Sequence, residues 1–514
     1  MKTIRNMKNT IIFSIAVLLT VLSTACTETT RIWPEEGEGK AYVEVSSEKV
    51  IFDADGGNAV IVVATNADGW DYTSEGEWFT VARQDDNSLL VETAINAGAE
   101  TLTGKLTVNG KKGGETVSQE VSLVQRAERS VNLSAQGTAN CYIARTGGVY
   151  KFDATVKGNG GGDGFSDYIA NYGAGIEDGV FAELLWESRH DGDKTMSREI
   201  IDGAPIYRGG YVSFSTGRSE GNAVIAVKDI KGDILWSWHI WVCNDEITSH
   251  DHVDSDGNVA AVIMDRNLGA LNNIPMDVGN RGMFYEWGRK DPFTPSRSPY
   301  HADTDGNNVP AYNEPNTAIG DGMGAWIYDA QAAILTTPPA NIPNSVRNPM
   351  TYLQSPFNGH ADWYCSGTDE KATHPGLWGR EKTIFDPCPP GYKVPGANLW
   401  GVPAGNTSIT NGGTVDEYDE NGVSAKWDWN VYKDCGRCWK NTGDYYPMVG
   451  NIYYTDYIYV SICNYTGGMA FYWTTQEAPE MSKTSVYFVN FNTNWCNYRL
   501  GEHDCSAQIR CIKE

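Results

Sequence analysis

The residues in this chain best suited to chemistry are aromatic, and they are crowded near its end. The stretch 427–498 holds Trp427, Trp429, Trp439, Trp473 and Trp495 together with eleven tyrosines, among them Tyr445, Tyr446, Tyr453, Tyr454, Tyr457 and Tyr459. Aromatic faces stack on the apolar faces of sugars, and the tips of Trp and Tyr can hydrogen-bond to hydroxyls. Trp427, Trp429, Trp439, Tyr453, Tyr454 and Tyr457 are therefore the expected ligand-binding residues. The competing reading is packing, because a helix-poor, loop-rich segment needs aromatic rings to fill its core. Acidic turns offer a second chemistry. Asp251, Asp254 and Asp256 precede Gly257-Asn258, and Asp303 and Asp305 precede Gly306-Asn307. Hard oxygens converging on a turn can hold calcium, but neither run has the twelve-residue spacing that ends in Glu. Ordinary turns account for both, so calcium is at most an accessory and no metal or other cofactor is expected. Glu314-Pro315-Asn316 matches a sugar-recognition tripeptide of calcium-dependent lectins, but it stands on the wrong side of Gly391-Tyr392-Lys393-Val394-Pro395. No nucleophile elbow, metalloprotease helix, phosphate loop or dinucleotide fingerprint occurs, so the expectation is a non-catalytic protein.

Composition bounds the rest. The 514 residues suffice for three domains, and 41% hydrophobic with 20% charged residues is a globular balance. With 55 Gly and 21 Pro, tight turns are favoured over long helices. The formal charge is −25, or −28 once the Lys2, Arg5 and Lys8 of residues 1–25 are removed. So acidic a chain repels nucleic acid and anionic lipid headgroups, which excludes both as default partners.

The first residues run basic, then apolar from Ile11 to Leu22, then Leu22-Ser23-Thr24-Ala25-Cys26. About twelve apolar residues are too few for the ~20 that span a bilayer, and the order is that of a signal peptide. A small residue before Cys resembles the bacterial lipobox, which implies cleavage after residue 25 and lipidation of Cys26. Residues 26–39 are then an acidic tether, and the membrane is met through the lipid alone. The resemblance implies an outer-membrane lipoprotein facing the cell surface.

Ten further cysteines can pair in an exported chain. Cys141 and Cys243 fall in the first and last strands of one segment, which suggests a bond between them. Cys388, Cys496, Cys505 and Cys511 are the C-terminal candidates, with their connectivity open. Cys435-Gly436-Arg437-Cys438 lacks the further ligands a metal site needs and reads as structural.

Residues 40–127 alternate in short strands such as Ala59-Val60-Ile61-Val62-Val63-Ala64, with turns at 55–58 and 109–114. Val43-Glu44-Val45-Ser46-Ser47, Ala64-Thr65-Asn66, Trp78-Phe79-Thr80-Val81 and a closing strand ending at Gln125 resemble the BACON family, the Bacteroidetes-associated carbohydrate-binding often N-terminal domain. The resemblance implies a β-sandwich and, by the family's name, glycan binding, although Trp78 itself reads as core. Residues 128–246 form a second β-rich unit, similar to the immunoglobulin-type sandwiches that precede C-terminal modules of surface lipoproteins. Its last strand, Trp236-Ser237-Trp238-His239-Ile240-Trp241, reads as buried on both faces, with His239 a hydrogen-bonded core residue.

Residues 247–514 differ in texture. Met264-Asp265-Arg266-Asn267-Leu268-Gly269-Ala270, the run Gly282 to Phe293, Asp386 to Pro395, Phe471 to Thr475, Val486 to Phe491 and Ala507 to Lys513 follow in the order of the Fibrobacter succinogenes major paralogous domain, which they closely resemble. That resemblance implies an extracytoplasmic, loop-rich module related to C-type lectins. The expected fold is mainly β: two immunoglobulin-like β-sandwiches followed by a loop-rich C-type-lectin-like α+β domain. The expected partners are glycans or surface glycoproteins. A structural or adhesive surface subunit is the alternative. A weaker one is an enzyme on the lectin-like scaffold, with Cys435 and Cys438 as a thiol pair.

Overall fold

The computed structural model describes residues 40–161, 167–188, 199–253, 258–275, 277–294, 327–328, 338–353, 363, 376–400, 427–428, 436–439, 442–455, 459–464, 469–477, 485–491, 496–503 and 505–514. The fold is mainly β, with β-sandwich units toward the N-terminus and a set of small sheets toward the C-terminus.

The first sandwich uses strands β1 (Val43–Val45), β2 (Lys49–Phe52), β3 (Gly57–Thr65), β4 (Gly69–Glu75), β5 (Phe79–Asp85), β6 (Ser88–Thr93), β7 (Leu102–Lys112) and β8 (Glu115–Gln125). One sheet runs β1-β3-β6-β5 and faces the row β4-β7-β8-β2. Apolar side chains alternate inward, so Ile61 and Val63 of β3 meet Leu106, Val108, Val121 and Leu123 in one core. The β7–β8 turn is tighter than the sequence suggests. The strands pair through Lys112↔Glu115, which leaves only Gly113 and Gly114 at φ of 57° and 91°, values a two-residue primed turn requires. Trp78 packs on this core as expected, edge-on to Phe79, and its indole N–H donates to Thr103 O at 3.0 Å. The outer strands β4 and β5 are laced together by side chains. Tyr72 OH donates to Val81 O at 2.9 Å, Trp70 Nε1 to Asp86 O at 2.9 Å, and Arg83 Nη1 to Trp70 O at 3.3 Å.

The second sandwich comprises β9 (Val131–Asn132), β10 (Cys141–Ala144), β11 (Val149–Asp153), β12 (Phe181–Ser188), β13 (Ile201–Arg208), β14 (Tyr211–Thr216), β15 (Gly221–Lys228) and β16 (Ile234–Val242). Its sheets are β10-β16-β15-β12 and β13-β14-β11-β9, and the latter continues the β4-β7-β8-β2 row of the first sandwich. The join is a single parallel bridge, Val50↔Ala204. Charges flank it: Asp202 holds Lys49 at 2.6 Å and Arg126 at 3.7 Å, and Arg208 Nη1 donates to Gly56 O at 3.1 Å.

The expected Cys141–Cys243 bond is not formed; both are buried thiols. The reason is register. β10 runs parallel to β16 with Cys141 opposite His239 and Ala144 opposite Val242, so Cys243 lies about four residues, or ~13 Å, further along. A disulfide needs Cα atoms within ~7 Å.

In the C-terminal part, β17 (Ser249–Val253) pairs with β18 (Val259–Met264), which pairs in turn with Ile512–Lys513, so the first and last strands of this region share a sheet. Beside it Tyr392–Lys393 completes the sheet, and Cys388 is bonded to Cys511. Ala470–Glu477, Ser485–Phe491 and Cys496–Glu502 make a meander whose inner face carries Trp473, Val486 and Phe488. Cys505 is buried nearby, and the side chain of Cys496 lies outside the described residues. Among the described residues no helix is long and apolar enough to cross a membrane.

β16 is the hinge of the packing. Seven consecutive residues, Trp236 to Val242, are buried, so both faces are covered as the sequence suggests. One face meets the second sandwich's interior, where Trp238 lies 5.1 Å from the Phe152 ring. The other meets residues 269–291, where Trp241 Nε1 donates to Ala270 O at 3.1 Å and Ser237 Oγ to Asp291 Oδ1 at 2.6 Å. A single hydrophobic cluster thus runs from Tyr142 and Phe152 to Trp287, Trp473 and Cys511.

Two outcomes follow. Trp241→Ala should cost about 3–5 kcal/mol and lower the melting of the second sandwich and the C-terminal region together, as one calorimetric transition; separate transitions would refute the shared core. Replacing Cys388 and Cys511 by Ser opens a loop of sequence separation 123, for which chain entropy gives roughly 3–5 kcal/mol, read as a lower urea midpoint.

Candidate functional site

Among the described residues, three places stand out for side chains or backbone capable of chemistry. The most elaborate is the seam between β16 and the C-terminal region. There Lys290 Nζ donates to Ser237 Oγ at 2.5 Å, Ser237 O at 3.1 Å and Asp291 Oδ1 at 2.6 Å, with its ammonium 4.5 Å from the Trp236 ring. Ser237, in turn, donates to Asp291. A serine beside a lysine resembles a nucleophile and its base, but the base must be able to lose its proton. Here burial pushes the Lys290 ammonium down while the adjacent Asp291 carboxylate opposes it. Ser237, Lys290 and Asp291 are at most 3% exposed, so no substrate reaches the hydroxyl. The cluster is a satisfied buried ion pair whose loss on either side would leave a bare charge.

His239 belongs to the same seam. Its Nε2 lies 2.8 Å from Asn222 Oδ1 and its Nδ1 3.1 Å from Tyr285 OH. Asn222 Nδ2 donates to Gly269 O at 3.0 Å, which fixes Oδ1 toward the ring. The ring is therefore neutral with its proton on Nε2 and Tyr285 donating to Nδ1. Burial pushes His239 down to about 3. It is the core histidine expected from the sequence.

Around them the sequence motifs turn inward. Asp386 Oδ1 and Oδ2 accept the backbone N–H groups of Cys388 and Val394, each at 2.9 Å, and burial pushes its carboxyl up to about 6. Asn140 reaches across the seam to Ile384 O at 2.6 Å and Asp386 O at 2.9 Å. Glu286 pairs with Arg289 and accepts Leu353 N at 3.1 Å. Arg510 donates to Asn267 Oδ1 at 3.1 Å and Tyr445 O at 2.7 Å. Gly158, at φ +50°, sits so close that a Cβ there would lie 2.2 Å from Ile384 O.

The second place is open. An exposed depression of about 390 Å³ on the first sandwich is lined by Asp68, Trp70, Asp71, Lys111, Lys112 and the 113–114 turn. Asp71 accepts Lys111 Nζ and Asn109 Nδ2, both at 3.1 Å, while Arg83 lies 3.9 Å over the Trp70 ring and holds it in place. The Lys111 and Asn109 hydrogen bonds keep the Asp71 carboxyl below its ordinary value. Anionic, cationic and backbone polar groups beside an indole are groups that bind hydroxyls. The sequence reading missed this place, because Trp70 and the Lys111–Gly114 turn are forty residues apart and only the β4–β7 pairing, Trp70↔Gly110, joins them.

The third place is the 427–498 aromatic stretch. Its described rings are packed: Tyr445, Tyr446, Tyr472, Trp473, Tyr487 and Phe488 are all buried. Tyr446 lies under the Arg510 guanidinium, 3.9 Å from its ring, and edge-on to Tyr472. Of the expected ligand residues, Trp427 and Trp439 are placed by backbone alone. They stand directly opposite each other in an antiparallel sheet ordered Trp427–Asp428, Gly436–Trp439, Tyr445–Pro447. Tyr453 and Tyr454 lie in Asn451–Thr455, and their side chains, like those of Trp427 and Trp439, fall outside the described residues. Cys26, Trp429, Tyr457, Asp254, Asp256, Asp303, Asp305, the Glu314-Pro315-Asn316 tripeptide and Cys435 also lie outside them. Asp251 sits exposed in β17, and among the described residues no His, Cys, Asp and Glu group is arranged to hold a metal ion.

No protein-family model matches the chain, and no curated protein matches it. Among solved structures it is similar to the NMR structure of a protein from Bacteroides thetaiotaomicron, at 18% identity, over 19% of this chain and 98% of that one, with a TM-score of 0.14. It is also similar to a chimeric titin Z1Z2 carrying a KLER peptide from decorin, at 12% identity, over 40% and 97% of the two chains, with a TM-score of 0.15. A third is the endo-fucoidan hydrolase MfFcnA4 of glycoside hydrolase family 107, at 9% identity, over 41% and 29%, with a TM-score of 0.16. Likenesses this slight bear on neither fold nor function.

His239 carries a testable pH dependence. Its folded value lies below that of the unfolded chain, so between about 6.5 and 3 the unfolded state binds more protons and stability falls as pH is lowered. Asp386, raised by burial, has the opposite sign and loses stability as pH rises through its window. The difference between wild type and His239→Gln isolates the histidine. Between pH 4 and 6 the variant's slope of stability against pH, read in urea titrations, should lie below the wild type's (less positive or more negative) by up to ~1.4 kcal/mol per pH unit; equal slopes would show that burial does not depress proton binding by the ring.

Proposed function

We propose that the chain is a lipid-anchored, exported envelope protein, a non-catalytic binder that recognises polysaccharide or glycoprotein glycans through its C-terminal region. The observation that carries this reading is the register Trp427↔Trp439. Directly opposed positions in an antiparallel pair lie on one sheet face, and tryptophan is the residue type that stacks on sugars. The sheet runs from the strand of Tyr446, whose ring is in the core, to the edge strand that bears Trp427. The resemblance of residues 247–514 to a lectin-related family supports the same reading, as does that of residues 40–127 to BACON domains, on which the Trp70 depression offers a second contact. The basic–apolar–Cys26 order supports the anchor, and the Cys388–Cys511 bond suits an oxidising compartment. The adhesive-subunit alternative stands beside this reading; the side chains that lace β4 to β5 close only those two sheet edges to strand exchange.

The test is binding of residues 27–514 to a broad glycan panel, with and without calcium, beside two variants. One carries Trp427, Trp429 and Trp439 changed to Ala; the other carries Trp70→Ala. The expected result is retained binding in Trp70→Ala and at least a tenfold loss in the triple variant, each stacking ring contributing about 1 kcal/mol or more. Loss confined to Trp70→Ala would move the site to the first sandwich, and silence of a folded protein across the panel would overturn the glycan reading.

A further inference from the structure

Both sandwiches share one feature of connectivity that bears on how the molecule carries load. In each, a strand near the entry of the chain is paired in parallel with the strand by which the chain leaves. In the first, β2 pairs with β8 from Lys49↔Ser122 to Phe52↔Gln125. Beyond the strand ends the ladder continues through Arg126 N to Phe52 O and Ala54 N to Glu128 O, each at 2.9 Å. In the second, β10 pairs with β16 from Cys141↔His239 to Ala144↔Val242, closed by His239 N to Asn140 O at 2.8 Å and Cys243 N to Ala144 O at 2.9 Å.

Geometry then decides how force acts. When two parallel strands are pulled, one by its N-terminal end and the other by its C-terminal end, the strands slide and every ladder bond is strained at once. When both are pulled from the same end, the bonds open one after another and each yields at low force. A chain held near residue 40 and loaded from beyond residue 243 is pulled in the first way in both sandwiches. β1, bound to β3 by three register pairs, gives way before the β2–β8 ladder bears the load. β16 has further support, because residues 269–291 cover its other face. Between the sandwiches, Asp202 with Lys49 and Arg126 fixes the junction so that load passes straight from β8 to the second unit.

We propose that the two sandwiches are a tension-bearing stalk, with the β2–β8 and β10–β16 ladders as two shear clamps in series. That this load runs between a lipid and a bound glycan rests on the function proposed above; the clamps themselves rest on strand direction alone.

The experiment is single-molecule pulling of residues 27–514 with attachment points at exposed residues. Handles at Lys40 and Asp245 load both clamps in shear, whereas handles at Lys40 and Glu115 load β2 and β8 from their N-terminal ends and peel them apart. The expected result for the Lys40 and Asp245 pair is two ruptures, each at a force several-fold above that of the peeling pair. The first sandwich opens first, with a gain in length of about 300 Å for its residues. Ser122→Pro removes the N–H that Glu48 O accepts at 2.8 Å, and in a folded variant it should lower the first rupture while leaving the second unchanged. Equal rupture forces in the two pulling directions would overturn the proposal, whether or not the proline variant folds. Because no sugar or lipid is present in the measurement, its failure would leave the glycan reading untouched, and failure of the glycan panel would leave the clamps untouched.

Discussion

The structure depends on burying one strand, β16, from both sides. An ordinary outer strand of a sandwich shows one face to water and needs polar residues there. Here the sequence places Trp236, Trp238, Ile240 and Val242 on one face and Ser237, His239 and the large Trp241 on the other, and all seven are buried. The residues from 269 to 291 cover the second face and place polar groups against it: Asp291 accepts from Ser237, Tyr285 meets His239, and Ala270 O accepts from Trp241. The second sandwich and the C-terminal region are therefore two chemistries of one core, which is why catalytic-looking side chains are found where no substrate can reach.

What was legible in the sequence was local. The alternation of β3 and the two-sided character of β16 follow from hydrophobic period and aromatic density, and both are found. Turn chemistry at Gly113 and Gly114 located the β7–β8 hairpin, though the strands extend further into it than glycine content implies, because Asn109 and Lys111 gain ladder bonds and partners on β4. The hydrogen-bonded core place of His239 was legible from its position in a tryptophan-rich strand.

What was not legible is set by pairing across long separations. Cys141 and Cys243 both border β10–β16 pairing, but the parallel register, which no spacing in the chain reveals, keeps their sulfurs apart. Asn140 finds its acceptors 244 and 246 residues away, at Ile384 and Asp386. The blocks at 264–270 and 282–293 were recognisable in the sequence, yet their packing against β16 depends on tertiary geometry. The Trp70 depression was hidden for the same reason, since its lining comes together only through the β4–β7 ladder.

The close approach of Gly158 to Ile384 has a consequence for how such chains can be rearranged. A backbone that meets another backbone with no room for a methyl group is a fitted surface, not a generic one. A gene that joined residues 247–514 to some other sandwich would present Ile384, Asp386 and Asp291 to a stranger lacking Asn140, Ser237 and the glycine. The exchangeable unit in recombination is thus the pair from about residue 128 onward. The first sandwich, joined by one backbone bridge, a few charges and the Ile206 side chain that enters its core, is the less interlocked part and so the one more readily swapped, duplicated or lost.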